Sequence, residues 1–217
     1  MQIDLFFIFW LVIVILPIAL APVFIVLLEK RKIKMALKEI YSSLKEKSQK
    51  VRIDNTHSDT PKIVAELNPE WQIDRVEVSS KPIGTFTYSS RFMFFLPRKY
   101  LNIVGIKGIR CSAKFAITGR DPLSATIADA NFRRSFQTGD LVFDRKYLVK
   151  GEDNEAVLKV LSDSEFRRYI SGIYDLIKFE VKGDENVNFV VKCNPDIESF
   201  ENSILAMKRV IKLMAEN

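Results

Sequence analysis

The chain has 217 residues, with 33 Lys and Arg against 27 Asp and Glu, one histidine and two cysteines. The lone imidazole, His57 in a polar stretch, argues against a histidine zinc site, a Ser-His-Asp triad or a Cys-His dyad, each of which needs an imidazole in a shaped pocket. The formal charge of +6 arises within residues 29–52, which hold nine Lys and Arg against three Glu, so the pI near 9.2 points to a membrane surface and not to a nucleic-acid partner.

Residues 5–28 carry no charge and are almost entirely apolar. Twenty-four residues at a helical rise of about 1.5 Å make about 36 Å, enough for a hydrocarbon core of roughly 30 Å. A cleaved signal peptide would have a basic flank and a shorter apolar run. Here the flank, residues 1–4, holds only Asp4, and Pro22 follows the one small-residue site, Ala19-Leu20-Ala21. The expectation is a retained transmembrane helix, bent at Pro17 and Pro22. The basic run Lys30-Arg31-Lys32-Ile33-Lys34 lies on its far side, so the N-terminus is expected outside and the following domain on the cytoplasmic face.

Residues 29–52 form the basic juxtamembrane segment, helical over 29–50, with Ile33, Leu37, Ile40 and Leu44 spaced 4-3-4 and Val51 one heptad on. Two readings stand for that seam: a helix lying against lipid or its own domain, or a weak homodimer through 33–51. Residues 53–61 read as a polar linker ending in Pro61, and 62–217 as one α+β domain of ordinary size.

Within the domain, Ile73, Val76 and Val78 suggest a first strand, and 84–88 with 91–96 a hairpin rich in aromatic residues and Thr. Strands follow at 101–106 and 113–118, and 124–136 fits either a strand or a short helix. Residues 141–150 alternate as a half-buried strand, then Gly151 and Asp153 open a helix bearing Ala156, Val157, Val160 and Leu161. Ser162-Asp163-Ser164-Glu165 fits a capping box for a second helix. Residues 179–181 and 188–191 flank a turn and read as a hairpin. Asn194-Pro195-Asp196 starts the last helix, with proline at its first position and a stripe of Phe200, Ile204, Met207, Ile211 and Met214 that closes over the sheet. Sixteen Phe predict an aromatic core. Cys111 and Cys193, 82 residues apart and without CxxC spacing, are expected as reduced, buried thiols.

The run from Thr138 to Asp153, Gly-Asp, then Phe143-Asp144, Tyr147, Val149 and Gly151 before an acidic pair, resembles a segment of uncharacterised membrane-anchored microbial proteins. Over residues 138–161 the resemblance implies a strand-turn-helix and an anchored architecture, and it implies no activity.

Asp140 and Asp144, read on one strand face, would lie about 13 Å apart, too far to share a proton or a metal. Gly105-Ile106-Lys107-Gly108 lacks the pattern of a phosphate loop, and no nucleophile elbow occurs. No catalytic, cofactor or metal residues are expected. Residues 78–138 hold ten Lys and Arg against two Asp. The residues expected to touch anionic lipid or an acidic partner are Lys30, Arg31, Lys32, Lys34, Arg98, Lys99, Arg133 and Arg134. The reading is a mainly antiparallel α+β domain behind an N-terminal membrane helix, with helices concentrated in the C-terminal half. Its role is a non-catalytic binding or assembly module whose partner is the bilayer or a membrane or cytosolic protein. The alternative is a membrane-tethered enzyme with a site assembled from carboxylates and Arg.

Overall fold

In a computed structural model, the backbone is described for residues 13, 16–54, 61–89, 92–110, 113–120, 134–152, 155–183 and 185–215, with side chains except those of 16–19, 22, 82–98 and 134–135. Helix α1 (Leu16–Lys47) is continuous through Pro22. Two environments divide it. Leu20, Val23, Phe24, Leu27 and Leu28 are about half exposed or more, whereas Ile33, Ala36, Leu37, Ile40 and Leu44 are buried. The 4-3-4 seam is thus part of the domain's own core. The helix stops at Lys47, and Ser48–Asp54 forms strand β1, which is a correction to the helix expected over 29–50. Pairing decides this: Val51 and Arg52 lie opposite Ala65 and Val64 of strand β2 (Lys62–Leu67), and that ladder outweighs the helix propensity of a short Lys-rich segment.

The described residues form one nine-stranded sheet in the order β1-β2-β3-β4-β9-β8-β5-β7-β6, with every neighbouring pair antiparallel. The remaining strands are β3 (Arg75–Ser89), β4 (Phe92–Lys107), β5 (Phe115–Gly119), β6 (Arg134–Phe136), β7 (Tyr147–Gly151), β8 (Lys178–Lys182) and β9 (Val187–Cys193). The expected 84–96 hairpin is the outer half of β3 and β4, and the strands expected at 73–78 and 101–106 are continuous with it. The β8–β9 hairpin forms as expected.

Helices α2 (Leu141–Lys146), α3 (Glu155–Ser162), α4 (Ser164–Ser171) and α5 (Ile197–Ala215) follow in the second half of the chain. With α1 they cover one face of the sheet, and Phe115, Phe166, Phe179, Phe189 and Phe200 are fully buried between the layers. Phe166 meets Phe115 and Phe179 edge-on at 6.0 and 5.7 Å between ring centres, the arrangement that aromatic quadrupoles favour. Phe200, Ile204, Met207 and Ile211 of α5 are buried, with Met214 packed at the margin, so the last helix closes the core as its stripe predicts.

Three local expectations are corrected. Residues 141–150 are not one strand. Asp140 caps α2, its Oδ1 accepting from the backbone N–H groups of Val142 and Phe143 at 3.0 and 3.1 Å, and β7 begins only at Tyr147. Alternation over ten residues fits both periods where Phe143 and Tyr147 stand i and i+4, and the cap decides between them. The N-cap of α4 is Asp163, not Ser162, and the proline at 195 stands before Asp196, whose Oδ1 accepts from Ser199 N–H at 2.7 Å. Of the segment 124–136, only 134–136 is described, as β6. Cys193 is buried and free, and Cys111, His57 and Arg133 lie outside the described residues.

Candidate functional site

One end of the sheet collects the features that the sequence scattered. A single rung crosses it from Ser79 through Asn102, Lys192, Lys178 and Thr118 to Leu148. Helix α1 enters at this end. Lys32 Nζ donates to Asn194 Oδ1 at 3.4 Å, and Asn194 follows Cys193, which pairs with Leu101. At the helix's other terminus, Lys47 O accepts from Asn68 N–H at 3.0 Å, beyond the far end of β2. The exposed apolar turns of α1 therefore leave the domain at the sheet end that carries Asn194.

Strands β3 and β4 leave by the same end. Beyond the rung of Leu101, they pair only with each other among the described residues, from Lys81 with Tyr100 to Ser89 with Phe92. These rungs extend about 27 Å at the rise of a strand.

Three lysines, Lys81, Lys178 and Lys192, lie near this end on the strand faces that alternate with the apolar core positions, and Lys182 shares that face toward the other end. Lys178 and Lys192 are cross-strand partners, Lys81 stands opposite Tyr100 two strands beyond Lys192, and Lys182 follows four residues along β8 from Lys178. Glu180 is the carboxylate among them, and both its oxygens are engaged: Oε1 with Lys178 Nζ at 3.1 Å, Oε2 with Lys182 Nζ at 3.0 Å. Burial pushes the Glu180 carboxyl up, but the hydrogen bonds from Lys182 and Lys178 outweigh it and hold the group below its usual range. Lys192 stands over the Tyr100 ring at 5.7 Å and makes no ion pair among the described residues. Burial first, then the charges of Lys178 and Lys81, depress its ammonium pKa. Burial raises the pKa of the neighbouring Tyr100 phenol.

Lys30, Arg31, Lys32 and Lys34 are exposed on α1 at this end. Arg98 and Lys99 occupy the base of the β3–β4 ribbon, opposite Ile83 and Pro82, so the fold brings them to the same end. Arg134 does not join them. It pairs with Gly151, on a rung that runs through Phe115, Val181, Phe189 and Gly105 toward the opposite end. Sequence reasoning missed Lys178 and Lys192 because they lie in residues 140–203, which hold nine Lys and Arg against fourteen Asp and Glu. The signal available was the alternation of charged and aromatic or branched residues in Lys178-Phe179-Glu180-Val181-Lys182, which marks a strand with one wholly charged face.

A cleft of about 510 Å³ opens at the same end, with Arg120, Lys146, Asp175 and Glu198 among its lining residues. Arg120 is held there by Nε donating to Tyr147 O at 3.1 Å. The carboxylates whose pKa is lowered lie elsewhere: Asp74 beside Lys107, Asp163 beside Arg209, Glu180 between its lysines and Glu201 beside Lys47. Among the described residues, no group of three or more His, Cys, Asp or Glu is placed to hold a metal ion.

Asp140 and Asp144, the acidic pair of the resembling segment, are both engaged in local structure, and Asp140 also faces Arg167 at 3.5 Å. Asp144 accepts from Thr138 N–H at 2.9 Å, Thr138 Oγ1 at 2.9 Å and Gly139 N–H at 3.2 Å, while Asp140 caps α2. They do not share a strand face. Among the described residues no helix is long and apolar enough to cross a membrane; the span read at 5–28 lies partly outside them, and its residues 16–28 are helical.

The fold defines an α+β protein with a single antiparallel sheet, helices on one face and a basic rim at the end where α1 enters. No protein-family model matches the chain, and no curated protein matches it.

Proposed function

We propose that this chain is a single-pass membrane protein whose domain is a non-catalytic binding or assembly module, held on the cytoplasmic face of the bilayer with its N-terminus outside. One observation carries the reading: α1 passes without a break from exposed apolar turns, through four exposed basic residues, into the core of the domain. Leu28 and Ile33 are five residues apart, about 7.5 Å along a helix. The headgroup layer on each side of a bilayer is of similar thickness, about 5–7 Å. A rigid helix of this kind sets the sheet end with Lys81, Lys178 and Lys192 at headgroup level, a geometry that suits contact with anionic lipid. The domain is then docked, not dangled.

The engagement of the lowered carboxylates in caps and ion pairs supports binding over catalysis. The test is alkaline carbonate extraction combined with impermeant thiol labelling of a cysteine placed within residues 55–60. The expected result is retention in the membrane pellet and labelling only after the cells are broken. Release by carbonate would remove the anchor, and labelling of intact cells would reverse the orientation.

A further inference from the structure

We infer that Lys192, Lys178 and Lys81, with the Tyr100 hydroxyl and the Asn102 amide beside them, form a site for a phosphate monoester, carried by a lipid headgroup or free in solution. The lipid form rests on the anchored reading above; the phosphate chemistry does not.

The reason lies in an arrangement that folding alone disfavours. Lys178 and Lys192 are direct cross-strand partners, and like charges in that position destabilise a sheet. Neither is out in water: Lys178 is 9% exposed, and Lys192 is half-buried over Tyr100. Glu180 cannot relieve both, because one of its oxygens is held by Lys178 and the other by Lys182. Lys81 adds a further ammonium two strands from Lys192, opposite Tyr100 on β4. Glu180 answers Lys178, but among the described residues Lys192 and Lys81 make no ion pair, and a local excess of positive charge of this kind is expected where a ligand supplies the missing charge. A phosphate dianion accepts hydrogen bonds through several oxygens, and ammonium groups are effective point-charge partners for it. The neighbouring donors, a phenol and a primary amide, suit the same oxygens. A carboxylate would offer fewer acceptors and half the charge.

The experiment uses the full chain in detergent micelles, titrated calorimetrically with inorganic phosphate against chloride of equal ionic strength. Saturable binding is expected. Loss of one charge-assisted contact corresponds to a weakening of roughly 10–100-fold, which is expected for Lys192→Met and Lys178→Met. Lys38→Met, on the exposed face of α1, should bind like the parent. A second readout needs no variant: phosphate should protect Lys192 from acetylation, read by mass spectrometry. Nanodiscs of phosphatidylcholine, with and without phosphatidic acid, then separate the sources. If the lipid is the ligand, phosphatidic acid protects Lys192 and blocks free phosphate; if a soluble phosphate is, phosphatidic acid changes neither. Absence of both binding and protection in micelles would overturn the site. Failure of the chain to enter nanodiscs would count against the anchor and leave the micelle result standing.

Discussion

Asp163 and Arg209, 46 residues apart in sequence, meet in a two-point contact: Arg209 Nε donates to Oδ1 at 3.0 Å and Nη2 to Oδ2 at 2.6 Å. The same Oδ1 caps α4 by accepting from Phe166 N–H at 2.7 Å. One carboxylate thus fixes the start of α4 and fastens it to α5, over the aromatic cluster that Phe166 completes.

Replacing Asp163 by Ala removes a cap worth about 1 kcal/mol and the two-point contact with Arg209, which keeps its ion pair with Glu165 at 3.2 Å, for a loss of about 2–3 kcal/mol in all. Asp163→Asn keeps the cap and should lose about half of that. Urea unfolding of the full chain in detergent measures both. The pH dependence has a definite sign. The hydrogen bond from Arg209, helped by the Phe166 amide, holds the Asp163 pKa below its ordinary value. Its contribution is therefore complete above about pH 4, the unfolded value, and is lost as pH falls through the folded one. Asp163→Asn should flatten the acid limb of the stability curve in that window.

Asp144 has a structural task. With its carboxylate gathering three donors from Thr138 and Gly139, Asp144→Ala should cost about 2 kcal/mol and raise hydrogen exchange at those two amides first. Unchanged exchange there would show that the turn is held by something other than this carboxylate.

Two glycines with positive φ should respond differently to alanine. At Gly139, φ is +80° and a Cβ would meet nothing within 4 Å, so only backbone strain of about 1 kcal/mol is expected. At Gly183, φ is +115° and a Cβ would fall 1.8 Å from Asn186 O, which no rotamer can relieve. Gly183→Ala should cost about 3 kcal/mol or more, by forcing the β8–β9 turn to rebuild. Thermal unfolding of the two variants side by side checks the contrast.

The domain needs α1. Ile33, Leu37, Ile40 and Leu44 are each at most 6% exposed, and burying such side chains stabilises by about 2 kcal/mol apiece. Four of them give about 8 kcal/mol, as large as the whole stability of many domains. A fragment of residues 53–217 is expected not to fold cooperatively, whereas 29–217 should. Circular dichroism melts of the two fragments decide it. Within the full chain, Ile40→Ala should cost about 2–5 kcal/mol.

Much of the fold was legible where local pattern and tertiary demand agree. The β8–β9 hairpin, the buried stripe of α5 and the aromatic core follow from alternation, helical spacing and the number of Phe. Legibility failed where two periods fit the same residues. In residues 141–150, alternation suggested a strand, and only the cap by Asp140 and the turn held by Asp144 give a helical turn first. The site was half legible. The basic residues of α1 are contiguous in sequence, so their grouping needed no fold. Lys178 and Lys192 become neighbours only through the β8–β9 register, and Lys81 joins them only because β4 lies between β3 and β9.

The uncharged 5–28 stretch, the basic segment after it and the alternating faces of the strands are readable along the chain, because these depend on composition and period within one segment. The tertiary structure decided which end of the sheet receives α1, that its seam is used up inside the chain's own core, and that two lysines stand opposed on one rung with Arg134 several rungs away. Those are matters of register and strand order, set by pairings between residues far apart in the chain, and no single segment contains them.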